Sequence, residues 1–301
     1  MMSNIIVNVA GLTFRNPFLP AAGILGSTPS SLKRLEREGA GGLVTKSLSL
    51  HPRAGYKGPV IVEVECGFIN AIGLANPGVT KFREWLTEYK FEIPLIASIY
   101  GYTASDFSEA ANILADIVDA YELNLSCPSV TEVSSLSEER EKIAEVVSQV
   151  TDSVDKPVFA KFSIEGLNIV EKAKAAERAG ASGIVAINTI KAMEIDVSLA
   201  KPVLKNEIGG LSGPAIRPIA LRSVYELYRE VNIPIIGCGG ISSLESAVKF
   251  LMAGASLLEI GSILAREKLD IFRKLTRELQ FFLRESGYKN VSKLVGVAHG
   301  A

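Results

Sequence analysis

Short, almost continuous apolar runs alternate along the chain with longer segments in which apolar residues return every three or four positions. The runs fall at residues 18–22, 42–46, 94–98, 120–124, 158–161, 183–188, 233–237 and 257–261, and each stops at or just before Gly, Ser, Asn or Lys. The amphipathic segments fall near residues 30–38, 79–89, 104–118, 135–151, 167–179, 216–230, 242–252 and 268–286. Strands with no polar face, separated by helices, predict a parallel sheet covered on both sides. Eight such units predict closure into a (β/α)8 TIM barrel. The alternative, an open doubly wound sheet, would carry Gly-x-Gly-x-x-Gly after its first strand, and this chain has none there.

Three departures from the repeat stand out. Residues 5–9 and 12–14 flank Ala10-Gly11, which predicts an N-terminal β-hairpin lying on the closed end of the barrel. Residues 47–78 and 189–215 are insertions after strands two and six, too long to be simple turns. Both leave the carboxyl ends of strands, where barrels of this kind place their chemistry, and connections of such length are usually functional. Pro202-Val203-Leu204 and Gly209-Gly210-Leu211 predict a hairpin within the second. No linker or low-complexity stretch interrupts the chain, so residues 1–301 are expected to form one domain.

Composition narrows the function classes. With 32 basic and 33 acidic residues and a net charge of −1, nothing calls for nucleic acid or an anionic membrane. Cys66, Cys127 and Cys238 lie far apart, with neither zinc spacing nor a disulfide framework, so the expectation is no metal and a reducing, cytoplasmic setting. The N-terminus lacks the basic start and apolar stretch of a signal peptide.

Candidate chemistry sits at the strand ends. Ala22-Gly23, Lys46-Ser47, Ser98, Asn124, Lys161, Asn188-Thr189, Gly239-Gly240 and Gly261-Ser262 would all lie on one face of the barrel. Core layers need apolar side chains, so two lysines and two asparagines there have no packing purpose. Gly239-Gly240 and Gly261-Ser262, after strands seven and eight, fit a phosphate resting on backbone N–H groups with a helix N-terminus behind it, or ordinary tight turns. Lys46 and Lys161 would meet an anion or an electron-rich ring. Lys161 also fits a Schiff-base nucleophile or a structural lysine. Asn70–Gly78 (NAIGLANPG) brings amides and a permissive glycine into the first insertion, or forms a turn. Cys127 follows the strand ending at Asn124 and has no histidine partner in prospect, since the two histidines are His51 and His299. A thiolate beside a cationic or flavin site needs none to accept a proton.

Taken in order, Asn70–Gly78, Leu123–Pro128 (LNLSCP), Ile187–Thr189 (INT), Gly209–Pro218 (GGLSGPAIRP), Ile233–Gly240 (IPIIGCGG) and Ala253–Ser256 (AGAS) make the chain resemble class 1 dihydroorotate dehydrogenase nearly end to end. The NAIGL and GGLSGPAI forms look most like the class 1B catalytic subunit. The resemblance implies oxidation of dihydroorotate to orotate in pyrimidine (UMP) biosynthesis, one FMN per subunit, and Cys127 as the base that removes a proton from C5 while hydride leaves C6 for FMN. It implies substrate contacts from Lys46, Asn70, Ala71, Ile72, Gly73, Leu74, Asn124, Asn188 and Thr189. It implies cofactor contacts from Ala22, Lys46, Ser47, Ser98, Asn124, Lys161, Ile187, Gly213, Gly239, Gly240, Gly261 and Ser262. It further implies an iron–sulfur FAD electron-transfer subunit as partner and a homodimer or dimer-based heterotetramer. Ala22, Ser98 and Ser129 stand where the family usually has serine, asparagine and asparagine, and Thr131–Ser137 replaces its glycine- and phenylalanine-containing stretch. A flavin barrel acting on another dihydropyrimidine, a flavin-free lyase or aldolase using Lys161, and a non-catalytic scaffold are the competing readings.

Overall fold

The stretch Leu-Ile-Ala-Ser-Ile at residues 95–99 is buried at every position, as are residues 120–124 and 158–162. Such segments cannot show a face to water, and pairing them side by side under a layer of helices satisfies both their backbones and their side chains. A computed structural model describes residues 4–125, 140–166 and 168–300 and shows this arrangement. A hairpin of β1 (Val7–Val9) and β2 (Leu12–Phe14) leads into β3 (Phe18–Pro20) and β4 (Leu43–Val44). The first insertion holds β5 (Ile61–Val64) and β6 (Gly67–Asn70), and β7 (Leu95–Ile99), β8 (Ala120–Asn124), β9 (Val158–Phe162) and β10 (Gly183–Ala186) follow. The second insertion holds β11 (Ile190–Met193), β12 (Ile195–Asp196), β13 (Lys201–Pro202) and β14 (Ile208–Ser212), before β15 (Ile235–Cys238) and β16 (Ala255–Ile260).

Eight of these strands form one parallel sheet in the order β3-β16-β15-β10-β9-β8-β7-β4. Its two end strands meet where the Gly41 N–H donates to Phe18 O at 2.7 Å, so the sheet wraps round as a (β/α)8 barrel. The predicted strands coincide with the observed ones to within about two residues, the usual uncertainty of a strand end. Helices Pro29–Arg37, Ala104–Leu114 and Leu244–Met252 begin at the capping residues Thr28, Thr103 and Ser243, each paired reciprocally with the residue three positions on. The β1–β2 hairpin lies at the amino ends, where Phe14 is fully buried beside Gly42, just ahead of β4.

The insertions do what their separate patterns did not foretell. β5 and β6 from the first join β11 and β14 from the second in a four-stranded antiparallel sheet, order β11-β14-β6-β5. The seam is β6 on β14, pairing Asn70 with Gly210, Ile69 with Leu211 and Phe68 with Ser212. Arg266, just past the eighth barrel strand, forms an ion pair with Glu63 at 2.5 Å and stacks over Phe68, holding this roof to the barrel rim. Among the described residues, no helix is long and apolar enough to cross a membrane.

Candidate active site

Between the barrel mouth and the roof lies a pocket. Thirteen of the residues singled out from sequence line it: Ala22, Gly23, Lys46, Ser47, Asn70, Ile72, Gly73, Leu74, Asn124, Lys161, Asn188, Thr189 and Ser262. Both lysines and both strand-end asparagines are therefore brought together. Ile24, Ile61, Phe68, Ser212 and Ala265 complete the walls and were not singled out. Phe68 and Ser212 become wall residues only because the two insertions pair with each other.

The remaining candidates lie elsewhere. Ala71 is fully buried in the roof's own small core with Ile69 and Leu204. Ser98 lies one layer below the pocket, its hydroxyl 3.0 Å from that of Ser47. Ile187 is buried against the first glycine of the Gly239-Gly240 pair. Gly213, Gly239, Gly240 and Gly261 frame the rim beside Ser262 rather than the pocket wall. Cys127, with Ser126, Pro128 and Ser129, falls outside the described residues; the last described position before it, Leu125, donates its N–H to Lys161 O at 3.2 Å.

A chain of short polar contacts runs through the floor. Asn188 donates to Asn124 Oδ1 at 3.1 Å, and Asn124 donates to Ser47 Oγ at 3.1 Å. Ser47 meets Ser98, and Ser98 donates to Glu122 Oε1 at 3.0 Å. These contacts fix the asparagine amides, so their orientation is set before any ligand arrives. Lys46 donates to Gly23 O at 3.2 Å and so stays folded over the first strand's end. Asn70 donates to Gly210 O at 3.2 Å, tying the site to the roof seam. The two asparagines of NAIGLANPG part company here. Asn70 faces the pocket, whereas Asn76 is buried and accepts from the N–H groups of Ser49 and Gly78 at 3.1 and 2.9 Å, acting as the clasp of the loop.

Lys161 is buried and meets two carboxylates, Glu259 at 2.5 Å and Glu122 at 3.3 Å. Burial alone would lower its pKa, but the charges of Glu122 and Glu259 outweigh that and raise it. A lysine held charged in this way is not the low-pKa amine that Schiff-base chemistry uses. Burial, and then the neighbouring Glu259, push the Glu122 carboxyl well above the ordinary glutamate value. Burial also pushes the Cys238 thiol up, so that cysteine stays neutral among its neighbours. Neither glutamate was singled out from sequence.

One end of the pocket continues into a glycine-lined cradle. Gly240 has φ +72°, and a Cβ there would lie 2.6 Å from Gly213 O and 2.8 Å from Arg217 Cβ. Gly213 has φ +104°, and its Cβ would fall 2.7 Å from Gly67 Cα and 3.5 Å from Ser262 Oγ. Backbone just past β14 and β15 thus crowds together with the start of β6, and the Ser262 hydroxyl from beyond β16 lies beside it, an arrangement that suits a phosphate. The following helix contributes less than its sequence position suggested. The N–H groups of Ser242 and Ser243 already donate to Ser246 Oγ at 2.9 Å, and that of Ser246 to Ser243 Oγ. Among the described residues, no group of three or more His, Cys, Asp or Glu side chains is placed to hold a metal ion.

Comparison with known proteins gives the same direction. The profile of the family described as Dihydroorotate dehydrogenase matches residues 4–283. The chain is 45% identical over 293 residues to the "Dihydroorotate dehydrogenase B (NAD(+)), catalytic subunit" of Pyrococcus abyssi, covering 97% of this chain and 98% of that one. It is 44% identical to the protein of the same name from Thermococcus kodakarensis, covering 99% of each. Against the one from Methanocaldococcus jannaschii it is 42% identical, covering 97% of each. Enzymes of this family are flavin-dependent oxidoreductases. A matching profile over nearly the whole length, close relatives of equal length and a barrel-mouth pocket rich in amide and ammonium groups lead to one conclusion: this chain belongs to the dihydroorotate dehydrogenase family and oxidises dihydroorotate in pyrimidine biosynthesis.

Proposed function

We propose that residues 1–301 form a single FMN-binding domain, the catalytic subunit of a class 1B enzyme, with Cys127 as general base. The observation that carries this reading is the convergence of Lys46, Asn124, Lys161 and Asn188 on one pocket whose end is a glycine cradle. The residues present fit FMN. Gly213, Gly239, Gly240, Gly261 and Ser262 would hold its phosphate, while Ala22, Ser47, Asn124, Lys161 and Ile187 would hold the ring system, with Ser98 supporting Ser47 and Asn124 from below. When bound, FMN supplies the acceptor for the hydride that leaves dihydroorotate. Lys46, Asn70, Asn124, Asn188 and Thr189 bind the substrate's carboxylate and amide edges, which need cationic and amide donors. Ile72, Gly73 and Leu74 close the apolar side of the pocket, and Ala71 backs them from the roof core. Cys127 takes the C5 proton on the ring face away from the cofactor.

The test is direct. The purified protein should be yellow, carry one FMN per chain, and bleach on anaerobic addition of dihydroorotate but not of dihydrouracil. A colourless protein that takes up no added FMN would overturn the proposal. Gly240→Ala should weaken FMN binding by about ten- to a hundredfold, because a side chain forced into a left-handed φ and a close contact costs about 1–3 kcal/mol; fluorescence titration with FMN measures it.

The relatives' names describe a catalytic subunit and NAD(+). They support a partner for this chain as well: a separate iron–sulfur FAD subunit that carries electrons to NAD, in a dimer-based heterotetramer located in the cytoplasm. Purification from the native source should bring down a second, brown flavoprotein, and a homodimer with no such companion would count against the partner.

A further inference from the structure

The interior layers of such a barrel are normally filled by branched aliphatic side chains. Here Glu122 on β8 and Glu259 on β16 occupy that space, each only 1% exposed, with Lys161 between them. Two acids against one base leave a negative charge in excess, and an uncompensated charge in the interior is strongly unfavourable. The hydrogen bonding points the same way. Glu259 Oε1 is fully buried and has no hydrogen-bond partner within ordinary distance among the described residues. The side chains beside it are the Glu122 carboxyl and the Cys238 thiol. On the other side, Glu122 Oε1 already accepts from Ser98. A proton on Glu122 directed at Glu259 would satisfy the orphaned oxygen and remove the like-charge contact at once.

We propose that Glu122 and Glu259 carry one proton between them, so that the pair shows Lys161 a single negative charge and holds its ammonium at the pocket floor as part of a neutral trio. The raised pKa of Glu122, caused by burial first and by Glu259 second, agrees with this placement. The groups facing the pair are Lys161 from β9, Ser98 from β7 and Cys238 from β15, and of these only Lys161 is charged. Both glutamates are positioning residues: neither lines the pocket, and both act through Lys161. Resting on the FMN reading of the pocket, the consequence is electrostatic. The trio's net charge sets how strongly the floor favours the reduced, more negative cofactor over the oxidised one.

A shared proton has a signature that separate charges lack. Glu122→Gln leaves Glu259 as the counter-ion, and Glu259→Gln leaves Glu122, which gives up the proton. Either way the trio stays neutral. Only the double variant exposes an unbalanced lysine. In the FMN-loaded protein each single variant should change the preference for reduced over oxidised FMN by less than about threefold, whereas the double variant should raise it about tenfold, a rise of about 30 mV in the two-electron midpoint potential. Equal, additive rises in the two single variants would mean two independent charges and would overturn the proposal.

Infrared difference spectroscopy of the purified protein at neutral pH gives a second readout, which needs neither cofactor nor double variant. A carboxylic-acid stretch present in the wild type should disappear in each single variant. Its absence from the wild type, or its survival in either variant, overturns the shared proton. Loss of the band in both variants of a protein that refuses FMN would leave the shared proton standing and refute the cofactor assignment instead.

Discussion

Cys127→Ala should yield a protein that still binds FMN but reduces it with dihydroorotate about 10²- to 10⁴-fold more slowly, the usual contribution of a positioned general base. The cysteine lies three positions beyond Asn124, whose amide lines the pocket and is fixed between Asn188 and Ser47. No histidine competes for the role, since His51 is absent from the pocket wall and His299 stacks on Tyr225 at 3.9 Å near the C-terminus. Anaerobic stopped-flow absorbance follows the flavin directly and separates binding from reduction. Cys127→Ser should be slow near neutral pH and gain speed as pH rises, because a hydroxyl is a far weaker acid than a thiol of pKa about 8.5. Reduction of the alanine variant at the wild-type rate would remove Cys127 from the mechanism.

Lys161→Met should be the most damaging substitution for stability. It leaves Glu122 and Glu259 facing each other without a counter-ion, and breaking a buried pair from one side costs about 3–5 kcal/mol. Urea unfolding should show a lower midpoint with an unchanged slope. The pH dependence has a definite sign. Lys161 is among the groups that lower the Glu122 pKa, so its removal raises that folded-state value further above the unfolded one. A carboxyl whose folded pKa is raised supports stability at low pH and loses that contribution as pH rises through the folded value. The variant's deficit should therefore be smallest near the unfolded glutamate pKa, about 4.3, and grow toward neutrality. Adding Glu259→Gln to Lys161→Met should restore part of the loss. A deficit independent of pH would point to lost packing rather than lost charge balance.

The barrel was legible because strands buried on both faces appear as nearly continuous apolar runs. Residues 43–44 and 183–186 show this plainly. The strand-end lysines and asparagines were legible for the converse reason: polar groups terminate apolar runs where the chain turns outward. What stayed hidden depends on contacts between distant segments. The pairing of Asn70 with Gly210 joins residues 140 positions apart, and nothing local in either insertion encodes its partner. Ala71 sits between pocket residues in sequence yet faces the roof core, since neighbours in an extended segment point to opposite sides. Glu122 and Glu259 did leave a trace. A charged residue inside Ala-Tyr-Glu-Leu-Asn or Leu-Leu-Glu-Ile interrupts a strand that must be buried on both faces. Such an interruption signals a partner of opposite charge in the interior, here Lys161.

The seam between β6 and β14 makes the two excursions a single exchangeable cassette. Grafting one of them from another barrel would leave a row of backbone groups without partners above the mouth, an open edge prone to sticking to other chains. Changing what this barrel accepts by loop transplantation therefore requires moving residues 47–78 and 189–215 together, with Glu63 and Arg266 kept as a matched pair.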